Sequence, residues 1–416
     1  MSIERATLLI DQSRYQMAER ELRQALAQAP SDAYATALLA LCLNYQQRFQ
    51  QATAAAETAI SLAPDDAFCH YILSYILCDR QELELAEKSV REAIRLNCYQ
   101  ASYFALLSRC KYNQKLWQDA LGASLQGLAI DPENVECLNY RALSLSQLGK
   151  GQQAVEAVES AIAVAPLDAS CYASSGWILL SHGKCHQKAL DYFREALRLN
   201  PNLEWARSGI IEALKAKNPI YRLMLRYFLW SSRLNNITRW AFTIGLYFAV
   251  RLLLIGLNEI GLKQLVIVVA IAYLIFVILT WIIDPLFTLL LRFDKFGRLA
   301  LTETEIQQSN YWGACFSITI LSFCVYLFTY HHTALISTAV FGLLLIPTAA
   351  SFHCEVGTPR KTMIIYTLSL AVLGTFAIIL SLNSITLSII PIALFLLGAI
   401  ASSWVATLLS GIKVKK

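Results

Sequence analysis

Side chains able to do chemistry are sparse in this 416-residue chain, and where they gather the spacing is short. His182, Cys185 and His186 are zinc-ligand types. They fall, however, in the turn Ser181-His182-Gly183-Lys184-Cys185-His186, where polar residues need no further reason, so no metal is expected. His331-His332 and His353-Cys354-Glu355 stand at the ends of different apolar runs. Arg251 lies inside such a run, the default position for a functional charge, yet it sits about two turns from the end, where it can snorkel or pair with Glu259. The 11 cysteines are scattered with no C-x-x-C pair, which fits a reducing compartment better than a disulfide or zinc framework. The chain lacks a P-loop, a dinucleotide glycine motif, H-E-x-x-H, G-x-S-x-G and an intramembrane Asp pair. No enzyme activity and no cofactor are expected.

What recurs instead is a set of aromatic and amide side chains: Tyr34, Asn44, Tyr45, Tyr71, Tyr75, Tyr112, Asn113, Asn139, Tyr140 and Trp177, with Asp79, Gln147 and one basic member, Arg109. These residue types are enriched where proteins grip other proteins. Some of the tyrosines could equally pack between neighbouring elements. Either role needs a regular scaffold to place them.

That scaffold is written as a period of 34. Pro30, Pro64, Pro132 and Pro166 are separated by multiples of 34, the missing beat falls on Cys98, and Pro201 arrives one residue late. Twelve residues before each beat stand Ala18, Ala52, Ala86, Ala120, Ala154 and Ala189. Five before come Ala25, Ala59, Ala93, Gly127, Ala161 and Ala196, and in the preceding helix Ala6, Ala40, Ser74, Ser108, Ala142 and Gly176 recur in phase. Small residues let helix backbones approach, and the proline ends each second helix because it cannot donate a backbone hydrogen bond. The pattern resembles the tetratricopeptide repeat over Ser2 to Lys217, six repeats with Asn202 to Lys217 as a capping helix. The resemblance implies a right-handed α-solenoid whose first helices line a peptide-binding groove carrying the aromatic and amide set. Relatives that hold a carboxylate-terminated tail use several groove lysines and arginines; Arg109 alone does not suit that ligand.

The remainder is a different object. Up to Lys217 there are 21 Lys+Arg against 24 Asp+Glu, a balance of −3; from Asn218 on there are 14 against 6, or +8, summing to +5. Residues 218–239 read as a basic amphipathic juxtamembrane segment, suited to a headgroup layer or to docking on the end of the solenoid. Residues 240–416 hold six apolar runs, Trp240 to Leu257, Gln264 to Ile283, Tyr311 to Tyr330, Thr333 to Ala350, Thr362 to Leu382 and Ile385 to Gly411, each near the ~20 residues that cross a bilayer as helix. Alternate loops carry the basic residues, which predicts that both termini are cytosolic. His331 and His353 then lie on opposite sides and cannot share a metal. Thr302-Glu303-Thr304-Glu305 predicts a capping box opening a helix into the third run. The stretch Asp284-Pro285-Leu286-Phe287 to Gly297-Arg298 resembles uncharacterised bacterial repeat-plus-membrane proteins, a likeness that brings no activity with it.

The expected fold is therefore all-α, a repeat solenoid in 1–217 followed by a polytopic bundle of about six spans. No signal peptide is expected, since Glu4, Arg5, Asp11 and Arg14 interrupt the first turns. The expected location is an integral membrane protein of the bacterial inner membrane. The expected role is a scaffold or adaptor that holds a protein partner in the groove, with lipid but no nucleic acid as the other contact. A transporter or channel with a regulatory repeat arm is the alternative, and an intramembrane enzyme around His353 and Glu355 a third reading.

Overall fold

The computed structural model describes residues 2–182, 186–234, 236–293, 297–298, 301–354, 357–383 and 385–410, and every element among them is helical. It divides into two compact units. The first comprises 1–209 with 229–235, the second 210–228 with 236–416. Compactness thus separates the chain near Gly209 rather than at Lys217.

In the first unit helices come in pairs: α1 Ser2–Asp11 with α2 Tyr15–Gln28, α3 Ala33–Tyr45 with α4 Phe49–Leu62, α5 Ala67–Asp79 with α6 Leu83–Leu96, α7 Ala101–Asn113 with α8 Trp117–Ile130, α9 Val135–Gln147 with α10 Gly151–Val164, and α11 Ala169–His182 with α12 His186–Leu199. The six alanines from Ala18 to Ala189 are all fully buried at 0% exposure. Where the opposing small residue is serine it also hydrogen-bonds the neighbouring helix: Ser74 Oγ donates to the Ala86 carbonyl at 2.8 Å and Ser108 Oγ to Ala120 at 2.7 Å. A Cβ at Gly176 would lie 2.5 Å from the Phe193 ring, and one at Gly209 2.2 Å from it. One large side chain fills the space that two glycines leave.

Each pair also needs a reversal between its own helices and a second turn to the next pair. The reversals use the left-handed backbone at Ser13, Gln47, Gln81, Lys115 and Gly149, again 34 residues apart. Four of the five are not glycine, a strain of roughly 1 kcal/mol each. At Gly149 an added Cβ would meet nothing within 4 Å, so Gly149→Ala should cost ~1 kcal/mol through backbone angle alone. Gln81→Gly should gain about 0.5–1 kcal/mol. Amide hydrogen exchange of α5 and α6 in the full-length protein reads the second change, and of α9 and α10 the first. Faster exchange in Gln81→Gly would show the turn is held by its side chain.

The second turn follows each proline. Asp32, Asp66, Asn134 and Asp168 accept hydrogen bonds from the backbone N–H of Ala35, Phe68, Cys137 and Ser170, so each opens the next first helix. At the beat where Cys98 replaces proline, Gln100 makes no such cap. Neighbouring pairs are clamped by a position that also repeats. Glu19 takes Arg23, Gln46 and Arg48, and sixty-eight residues on Glu87 takes Arg91, Lys111 and Gln114. Between them Arg80 donates to Thr53 at 2.7 Å. Burial raises the Glu87 carboxyl, but the bonds from Lys111, Gln114 and Arg91 outweigh it and bring it to about 2.

In the second unit α13 (Glu204–Lys215) contributes its C-terminal half, and α14 (Pro219–Arg233) its first ten residues. Tyr221, Met224 and Leu225 of α14 are buried, with the Tyr221 ring 4.9 Å from Phe287 and the Tyr227 ring 5.3 Å from Phe276. The first ten residues of α14 therefore pack on the helices that follow, while 229–235 group with the repeats. Then come α15 Asn236–Glu259, α16 Lys263–Leu291, α17 Glu303–Thr329, α18 His332–His353, α19 Thr358–Asn383 and α20 Ile385–Ser410. Six of these are long and apolar enough to cross a membrane. From α16 to α20 each packs on the next, and α18 also meets α20 around Val340, Leu344, Leu370 and Phe395. The capping box forms as expected, Thr302 Oγ1 accepting from Glu305 N and Glu305 accepting from Thr302 N. Helix α16 runs on through Pro285 to Leu291, eight residues past the apolar run, where a loop was expected.

Candidate functional site

The first helices carry the aromatic set in three groups of neighbouring rings. Residues 34 apart occupy equivalent places, so Tyr75, Arg109 and Trp177 share one position of the repeat and Tyr34 and Phe68 another. Tyr34 packs on Phe68 at 5.0 Å, Phe68 on Tyr71, and Tyr71 on Tyr103 at 5.1 Å. A second file runs Tyr15 to Tyr45 (4.6 Å, stacked) to Tyr75, whose hydroxyls meet at 3.4 Å. Further along, Tyr112 meets Trp117 and Tyr140, and its hydroxyl accepts from Gln147 at 3.1 Å. Trp177 stacks with Trp205 and donates to the Trp205 carbonyl.

Polar members divide into those already engaged and those not. Asp79 joins three repeats: it pairs with Arg109 and accepts from Asn44 Nδ2 at 2.6 Å. The Arg109 guanidinium also lies over the Tyr75 ring, 5.1 Å from its centroid. Arg109 is thus committed inside the wall, to Asp79 and to the Tyr75 ring. Asn113 donates to Cys78 Sγ at 3.7 Å. By contrast the Oδ1 atoms of Asn44 and Asn139 are buried without a donor. The tetratricopeptide resemblance implies that the first helices line a concave side.

Sequence reading missed Phe68 and Glu136. Both were legible, for 34, 68, 102 and 136 are one position in successive repeats, and Tyr34 had been chosen there. Glu136 is exposed by area, yet burial pushes its carboxyl up, opposed by Arg109 and helped by Asp168. A concave wall reconciles the two: the oxygens still meet solvent, while protein on both sides displaces much of the surrounding water.

One end of the face is partly taken by the chain itself. The segment 229–235 belongs with the repeats, the Ser232 carbonyl accepting from Lys115 Nζ at 3.4 Å and the Arg233 charge acting on Tyr112.

The other candidate groups find structural roles. His182 Nε2 meets Ser146 Oγ at 3.2 Å, and its ring lies where a Cβ at Gly151 would stand; Cys185 falls outside the described residues. His331 caps α18, and His332 Nε2 meets the Ser381 carbonyl at 3.0 Å. Arg251 donates to Tyr247 one turn back at 3.4 Å rather than reaching Glu259. Glu355 and the side chain of His353 also lie outside the described residues.

With this geometry in hand, the tetratricopeptide repeat family model matches residues 3–67 and 141–204. Among solved structures the chain is similar to YrrB, described as a TPR protein with an unusual peptide-binding site, at 17% identity over 44% of this chain and 95% of that one, with a TM-score of 0.32. It is similar to TTC0263 of Thermus thermophilus at 18% identity over 44% and 98%, TM-score 0.41. A third likeness, at 15% identity over 51% and 83% with TM-score 0.45, is to a tetratricopeptide repeat protein from Parabacteroides merdae. No curated protein matches the sequence.

Proposed function

We propose that this chain is a membrane-anchored scaffold that holds a protein segment on the first-helix face of its repeats. The observation that carries the reading is the set of aromatic rings that the first helices carry from repeat to repeat, Tyr34 through Tyr71 and Tyr75 to Tyr140 and Trp177. Rigid rings lose little entropy on contact. The membrane part of the reading is supported by Ala241–Glu259 of α15 and Lys263–Thr280 of α16, apolar stretches with no residue buried. Such surface in water would drive aggregation, whereas in hydrocarbon it is satisfied. Repeats of this family mediate protein–protein contact, and 1–217, 218–239 and 240–416 divide the labour as array, basic connector and anchor.

Crosslinking and mass spectrometry of the protein purified in mild detergent test the scaffold role. Partner crosslinks should fall on the face of Tyr34, Tyr71, Tyr75, Asn139 and Tyr140; crosslinks confined to 240–416 would move the interface into the membrane unit.

Orientation follows from the basic loops, which place both termini and Arg292 to Arg298 in the cytosol. With the exposed Cys98 and Cys324 changed to serine, a cysteine at Asn383 should react with an impermeant thiol reagent from outside, and one at Arg360 only after permeabilisation. Labelling of both from the same side would remove the six-span arrangement.

A further inference from the structure

The proposed groove reading leaves the partner's chemistry open, and the unengaged groups on its wall narrow it. Between the third and fifth repeats, hydrogen-bond acceptors gather without donors. Glu136 has neither a hydrogen bond nor an ion pair among the described residues, and Asn139 Oδ1 is buried and unsatisfied. The hydroxyls of Tyr71 and Tyr140 have no hydrogen-bond partner there either, and the Glu136 charge acts on both rings. Nearby opposite charges are spent internally, since Asp79 and Arg109 neutralise each other and Arg109 already covers Tyr75. Among the described residues the wall therefore presents Glu136 as an exposed carboxylate without a hydrogen bond or ion pair, with Arg109 acting on it at a distance.

Resting on the groove reading above, we infer that the bound segment is an extended peptide carrying a lysine or arginine, whose cation sits against Glu136 beside Tyr140, one turn along the same helix. Charge complementarity selects this occupant over the alternatives. A carboxylate-bearing segment would face Glu136 and find Arg109 already paired, and a purely apolar one would strip water from Glu136 without replacing its hydrogen bonds. Aromatic rings around the charge favour a cation over a neutral donor.

The test uses the full-length protein in nanodiscs and a phage-displayed random dodecapeptide library. Peptides selected on the native protein should be enriched in Lys and Arg relative to the unselected library. Synthetic copies should bind Glu136→Gln about tenfold more weakly, equivalent to ~1.4 kcal/mol, and changing their basic residue to norleucine should erase that difference. Glu136→Gln keeps the size of an exposed side chain, and far-UV circular dichroism checks that helicity is retained. If selected peptides lose affinity on Tyr75→Ala but carry no basic enrichment, or bind Glu136→Gln as well as native protein, the cation assignment is overturned and the groove reading stands. Acidic enrichment that depends on Arg109 overturns it likewise. Peptides indifferent to both Tyr75 and Glu136, or no selection at all, overturn the groove reading together with the inference.

Discussion

Replacing Tyr75 and Arg109 together by alanine is expected to weaken partner binding about thirtyfold or more while leaving helicity and membrane insertion intact. Each truncation of a true contact residue costs ~1–3 kcal/mol, and the two are neighbours, so their losses will couple. Tyr75 supplies a ring edge to Tyr45 and the face under Arg109; Arg109 ties Asp79 of one repeat to the next. The single substitutions separate the roles. Tyr75→Ala removes contact surface, whereas Arg109→Ala also leaves Asp79 with only Asn44 to compensate it. Affinity for a crosslink-identified partner, measured by titration against the native protein, checks the expectation. Undiminished affinity moves the interface off this face, and a loss of helicity assigns these residues to packing between repeats.

Lys215→Met is expected to destabilise the second unit by ~3–5 kcal/mol, the typical cost of removing one partner from a buried ionic cluster. Lys215 is 4% exposed, with Nζ bonded to Asp284 and lying 3.4 Å from Glu212. The Tyr221 hydroxyl lies 2.7 Å from Glu212 Oε2 and 3.2 Å from Asp284 Oδ1. Burial alone would lower the lysine, but the two carboxylates outweigh it and hold its ammonium charged. The Glu212 carboxyl is pushed up, by burial first and by Asp284, with Lys215 opposing. Without the lysine that opposition vanishes, so the folded-state carboxyl rises further above its unfolded value. A raised carboxyl penalises the folded state above the unfolded value near pH 4 and spares it below, so the variant's deficit should shrink as the medium is acidified toward that value. Thermal unfolding of the detergent-solubilised full chain at several pH values reads this. Adding Glu212→Gln to Lys215→Met should recover much of the loss at neutral pH; a deficit that is independent of pH and unrecovered would point to packing of the lysine stem over Tyr221 instead.

The sequence by itself determined the repeats, because their geometry depends on residues at fixed short separations. Prolines, small residues and the Asp or Asn caps act within one or two helices, and each recurs at 34, so chance agreement is excluded by number. Six apolar runs were equally plain, since lipid demands length and hydrophobicity alone, and the capping box at Thr302 is a four-residue signal. Only the tertiary structure decided which groups are engaged. That Arg109 is spent on Asp79 and Tyr75 depends on a repeat thirty residues away, and that Glu136 has no ion-pair partner among the described residues depends on which side chains the fold brings near it, which no spacing expresses. The extension of α16 to Leu291 was hidden because Asp284 and Pro285 read locally as a helix end. In the folded unit Lys215 and Tyr221 meet that aspartate, and Tyr221 packs on Phe287 one turn beyond, so contacts sixty residues apart in sequence override the local preference.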